Sequence, residues 1–230
     1  LGVALLLLVT VVSLGALTVA VGSVVEGSAD AVTADRAADD LAALDVAARG
    51  GRLDERVAVA GGRLRTEPRT VRLLRDGTPV ADYRANALVV TAGDRRAAFL
   101  AGAVTTGRDG TAAFREPPRV AATNGTLVVG VPVLAGVEGV AVEGDAAAGA
   151  DDVRLRGRVT HRRRALPPGE YAVAVETTTP APWSRWFAER GADVVRADVD
   201  GDGVRSVVAR YDGTRTAVVV VHEVRLEVGA

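Results

Sequence analysis

Between Leu1 and Val25 the chain carries no Asp, Glu, Lys, Arg or His, and Glu26 is the first charged side chain. The interior of this run is Val3 to Val9, Val11-Val12 and Leu14 to Val21. As a helix it would be roughly 37 Å long, enough to cross a hydrocarbon core of ~30 Å. An uncharged helix ahead of a charged, Gly-punctuated remainder leaves two options: it sits in lipid, or it packs against copies of itself. Thr10, Ser13 and Thr18 can hydrogen-bond back to the helix, while Gly2, Gly15 and Gly22 allow close helix–helix approach. A simple anchor and a packed bundle share this periodicity, so both options stay open.

Helical spacing continues past the run. Ala34, Ala37, Ala38, Leu41, Leu44 and Ala48 fall on one face, with Asp35, Asp39, Asp40, Asp45 and Arg49 elsewhere around the wheel. Gly50-Gly51 supplies a stop. The spacing predicts one helix over residues 1–49, bent near Gly22 or Gly27, followed by a head over residues 52–230.

The head is long enough to bury a core without covalent staples. With no cysteine among 230 residues, disulfides and thiolate metal sites are excluded. A formal net charge of −1 gives no nucleic-acid footprint. Beyond Gly51 the period shifts to 2, the habit of strands. Val57–Ala60 and Arg63–Glu67 read as one hairpin, and Thr70–Arg75 and Thr78–Arg84, around Asp76-Gly77, as another. Ala87–Thr91, Arg96–Leu100, Ala112–Arg115, Val120–Thr123, Thr126–Val131 and Val137–Val142 continue at sandwich-like spacing. Val153–Thr160, Tyr171–Glu176 and Val204–Tyr211 alternate in the same way. The last strand places Val218, Val220, His222, Val224, Leu226 and Val228 on one face. One helix interrupts the strands: residues 182–191 open with Pro and close with Gly, and Trp183, Trp186 and Phe187 form a heavy apolar face suited to plugging the sheets.

Candidate chemistry is sparse. No nucleophile elbow, phosphate loop, zinc-protease helix or dinucleotide fingerprint occurs, so no catalytic residue and no cofactor is expected. His222 reads as a core histidine, and His161, ahead of Arg162-Arg163-Arg164, as part of a solvated turn. Asp198, Asp200 and Asp202 alternate as at the start of a calcium loop, but Ala209 stands where the bidentate twelfth-position Glu belongs. Asp-Gly pairs also suit a hairpin connection, so a turn with at most weak calcium binding is expected, and no metal ligand is assigned. Asn124-Gly125-Thr126 matches the glycosylation pattern and equally an Asn-Gly turn.

The order of parts resembles the type IV pilin superfamily, and within it the haloarchaeal pilin-like surface proteins. The resemblance lies in Leu1-Gly-Val-Ala-Leu-Leu-Leu-Leu-Val9 and in the passage from Tyr171–Glu176 through Trp183–Phe187 to Val207–Tyr211. Leu5 stands where the bacterial branch has Glu. The resemblance implies processing by a prepilin peptidase-like enzyme, consistent with a chain lacking an initiator Met, and an N-terminal helix that partners membrane lipid and like subunits or other pilins.

The fold expected is therefore α+β: a long N-terminal apolar helix, then an antiparallel β-sandwich-like head with one short capping helix. The expected function is that of a structural, non-catalytic, pilin-like subunit of a cell-surface filament or pseudopilus, minor or accessory, with its head extracellular. The alternative is a single-pass membrane-anchored binding domain, adhesin-like and calcium- or glycan-linked, that does not polymerise.

Overall fold

The computed structural model describes residues 27–46, 50–108, 110–137, 139–144 and 152–229. Helix α1 spans residues 27–43. Its apolar stripe Ala37, Ala38 and Leu41, with Leu44 in the turn that follows, is buried in a core with Leu53, Val57, Leu64, Leu88, Phe99 and Leu155.

Two sheets make up the rest. The larger runs β4 (Thr78–Arg84), β3 (Thr70–Arg75), β12 (Asp152–Glu176), β14 (Ser206–Gly229), β10 (Thr126–Ala135), β9 (Val120–Ala122). To it β1 (Gly51–Ala58) adds on β12, and β13 (Asp193–Ala197) on β14. The smaller runs β11 (Ala141–Glu143), β2 (Arg63–Glu67), β5 (Ala87–Ala92), β6 (Arg95–Leu100), β7 (Ala103–Arg108), β8 (Ala113–Glu116). Strand β5 separates two cores. Ala87 and Val89 face one with Leu73, Leu127 and Tyr171, while Leu88 and Val90 face the core that holds α1. Burial on both faces explains why β5 reads as a continuous apolar run.

Helix α2 (Pro180–Ala188) closes the first core with Trp183 and Phe187, 1% and 0% exposed. Thr179 caps it without a side-chain hydrogen bond, Pro occupies its first turn, and Gly191 turns out of it at φ +77°. That conformation suits a residue without Cβ.

Several expectations need correction. The fold is predominantly β rather than the α+β expected, and the described part of the predicted 1–49 helix is residues 27–43. The uncharged run Leu1–Val25 lies outside the described residues. Among those described, no helix is long and apolar enough to cross a membrane, so the transmembrane helix, and with it the membrane and filament terms built on that helix, has no support in this structure. The helix ends ahead of the Gly50-Gly51 stop. The amides of Leu44 and Asp45 close tight turns onto the carbonyls of Leu41 and Ala42, and Asp45 takes φ +23°.

The head is not wholly antiparallel, because β10 runs parallel to β14. Residues 57–60 and 63–67 do not form a hairpin: β1 pairs with β12 and β2 with β5. The segments 153–160 and 171–176 belong to one strand, β12, with register irregularities between Leu166 and Tyr171. Strand β14 likewise runs unbroken and changes its buried face. Ala217 and Val219 point into the first core, whereas Val224 and Leu226 point into the core holding α1.

Candidate functional site

A buried cluster of charge lies where β3, β12 and the β13–β14 connection meet. Arg72 pairs with Ala174 across β3–β12, and Glu176 lies two residues on, so both side chains leave the sheet on one face, opposite the Tyr171–Val173–Val175 core. Arg72 and Glu176 are 7% and 3% exposed. The Arg72 guanidinium donates through Nη1 to Glu176 Oε1 and through Nη2 to Asp200 Oδ2, and its Nε lies 3.7 Å from Asp82 Oδ1. The amide of Thr70 donates to the other Glu176 oxygen at 2.7 Å. A charge this deeply buried survives only when paired and hydrogen-bonded, and Glu176 has both.

The calcium-like string occupies this connection. Asp198 turns inward on its own loop, its two carboxylate oxygens accepting from the amides of Gly201 at 2.8 Å and Gly203 at 3.0 Å. Asp202 Oδ1 accepts from the Val204 amide at 2.8 Å. The loop joins antiparallel β13 and β14, so Asp198–Gly203 forms the hairpin connection. Glu176, Asp200 and Asp202 bring carboxylate oxygens within 4.8 Å of one another, a donor set hard enough for a divalent cation. Two of these carboxylates are already bridged by Arg72, which holds the cationic position itself. The arrangement is a clamp tying the loop to the sheet. The sequence singled out Asp198, Asp200 and Asp202 as a calcium-like string without assigning a ligand, and missed Arg72 and Glu176, which read as ordinary polar positions of a strand and a strand end.

A second charged knot surrounds Glu67. Burial raises its carboxyl pKa, but hydrogen bonds and charge from Arg96, Arg65 and Arg69 outweigh burial and lower it to about 2. Arg96 Nη2 and Arg69 Nη2 reach Glu67 Oε2 at 2.9 and 2.7 Å.

The two histidines face each other across β12 and β14. His161 and His222 are register partners, their Nδ1 atoms are 2.7 Å apart, and the rings meet edge-on at 80°. His161 thus sits in a strand, not a turn. At that distance one Nδ1 donates while the other accepts, so the acceptor ring is neutral. Burial, then the charges of His161 and Arg119, push the His222 pKa down from 6.5, with Asp45 opposing. Arg119 itself pairs with Asp45 at 2.5 Å. The lowered folded pKa means that the unfolded chain binds more protons just below pH 6.5, so this pair's stabilisation is present above that pH. It is lost as pH falls from 6.5 through the folded value. Melting temperatures at pH 7.5 and 5.5 should therefore differ more in the wild type than in His222→Gln; equal differences would remove the pair from the pH response.

Asn124-Gly125 is a turn: the Thr123 amide donates to Thr126 O at 2.9 Å, leading into β10. No curated protein and no solved structure matches the chain. A family model described only as a family of unknown function does match, over residues 1–227. With nearly the whole length covered, the chain belongs to that family, DUF7289.

Proposed function

We propose that the protein is a non-catalytic structural subunit of the pilin-like kind, working at the cell surface and joined to its partners through the uncharged N-terminal run. The observation that carries this reading is the seat of α1. Its apolar face is buried at 0–1% exposure in the head core, and Thr33 Oγ1 and Asp40 Oδ2 bond the backbone at Ala60 and Ala58. Asp39 pairs with Arg115, and Thr106 donates to Asp35 at 3.4 Å. A helix fixed this firmly to the head core suits a subunit that transmits load, as assembly requires. The resemblance in sequence supplies the pilin-like part of the reading.

Sedimentation of the full chain tests it. The wild type should form sedimentable assemblies, and Leu8→Arg should stay dispersed because it puts a charge inside the uncharged run. The head should melt at the same temperature in both. A wild type that remains monomeric, or assemblies indifferent to Leu8→Arg, would overturn the proposal.

A further inference from the structure

On the outer face of β1, β12 and β14, three arginines stand in one cross-strand row. Arg52 is the register partner of Arg158, and Arg158 of Arg225. All three are exposed, and their chain neighbours Leu53, Val159, Val224 and Leu226 are buried on the opposite face. Neighbouring strands lie about 4.8 Å apart, so three guanidinium groups crowd a strip about 10 Å across. Like charges directly opposite one another destabilise a sheet.

Beside this row part of the charge on the face is compensated, although Arg56 stands opposite Arg154 with no carboxylate of its own among the described residues. In the next outward row Asp54, Arg156 and Glu227 alternate in sign. Asp54 holds Arg154 through two bonds of 2.6 Å and approaches Arg156 at 3.9 Å. On the other side Glu223 is taken by Arg162 at 3.4 Å. Among the described residues, no carboxylate pairs with Arg52, Arg158 or Arg225. The row lines a shallow cleft together with Asp54, Arg156 and Glu227 of the neighbouring row.

We infer that the Arg52–Arg158–Arg225 row is a binding site for a linear acidic polysaccharide, laid across the strands with its carboxylate or sulfate groups on the three guanidiniums. Guanidinium forks pair with planar carboxylate and with sulfate oxygens through two parallel bonds. The unpaired positive row is complementary to a chain carrying closely spaced negative charge. Several spaced contacts also suit a polymer better than a single small anion, because later contacts form at high effective concentration. This inference does not depend on whether the protein assembles.

Fluorescently labelled alginate, dextran sulfate, neutral dextran and single-stranded DNA serve as probes, with the full chain dispersed in nonionic detergent. Arg52→Gln/Arg158→Gln/Arg225→Gln should weaken binding of alginate or dextran sulfate at least tenfold and flatten its salt dependence, since fewer counterions are released. Whichever of the two probes shows the larger loss identifies carboxylate or sulfate as the natural group. A control with the same charge change on other exposed arginines, Arg84→Gln/Arg196→Gln/Arg205→Gln, should bind within twofold of the wild type. The row variant should melt no lower than the wild type; if it does not fold, Arg158→Gln alone should still lose at least threefold. Equal losses in row and control variants, unchanged binding in the row variant, equal binding of neutral dextran, or single-stranded DNA bound as tightly as the polysaccharides would each overturn the site.

Discussion

Replacing Arg72 with Ala is expected to destabilise the protein by about 3–5 kcal/mol, because it leaves the Glu176 carboxylate buried without a cationic partner. The cost lies in the stranded charge more than in the lost attraction, so a double variant should reveal it. Arg72→Met combined with Glu176→Leu removes both charges and fills similar volume on a face already lined by Ala174 and Val208. It should recover much of the loss, though the Thr70 amide is then left without its acceptor. Denaturant unfolding of Arg72→Met, of Glu176→Leu and of the double gives the coupling directly. Costs that simply add would show that Arg72 and Glu176 do not act as a pair. The same cycle bears on the loop: with Arg72 gone, Asp200 loses its bridge, and amide exchange across residues 198–204 should speed up.

How much of this was legible in the sequence depends on how local each signal was. The β3–β4 hairpin could be read because Asp76 and Gly77 adopt φ +51° and +80°, the left-handed pair that tight hairpins need. The tryptophan helix could be read from its Pro and Gly boundaries and its apolar spacing. The buried stripe of α1 followed from periodicity alone. What failed was long-range. Gly61-Gly62 does make a turn, with the Gly62 amide on Val59 O at 2.6 Å. The strands on either side of it nevertheless pair elsewhere, β1 with a segment about a hundred residues away. Nothing in residues 57–67 encodes that choice.

The histidine strand failed for a related reason. A single apolar face was expected from Val218 to Val228, but the residues fully buried are Ala217 and Val219 first, then Val224 and Leu226. One continuous strand serves two cores on opposite faces, and alternation cannot show where the cover changes sides. Arg72 was hidden in the same way. Between Val71 and Leu73 a lone arginine looks like an outward position of a half-buried strand. Only the loop from β13 to β14, folding over that face with Asp200, converts it into a buried one. Both the clamp and the arginine row across β1, β12 and β14 arise from register, which sequence pattern specifies only where one face is plainly buried.

The last expectation concerns the plug. Trp183 is 1% exposed, meets Phe114 edge-on at 5.2 Å and 78°, and lies 6.1 Å from the Phe187 ring. Phe114 comes from β8 in the smaller sheet, so Trp183 joins α2 to the far side of the first core. Trp183→Ala should cost about 3–5 kcal/mol, since the indole volume is lost from a site enclosed by two sheets and a helix. Trp186 provides the internal comparison. It is 8% exposed, its indole Nε1 has no hydrogen-bond partner, and the Arg190 guanidinium carbon sits 3.9 Å from its ring centroid. Arg190 also donates to the Trp186 carbonyl at 3.3 Å. Part of the Trp186 contribution is therefore a cation–π contact near solvent, worth about 0.5–1 kcal/mol at exposed sites. Trp186→Ala should accordingly cost less than Trp183→Ala, and Trp186→Phe should recover most of its loss because a ring remains beneath Arg190. Thermal melts of the three variants order these effects. If Trp183→Ala melts with the wild type, or if Trp186→Ala proves the more damaging, α2 does not close the core through Trp183, and its aromatic face has another use.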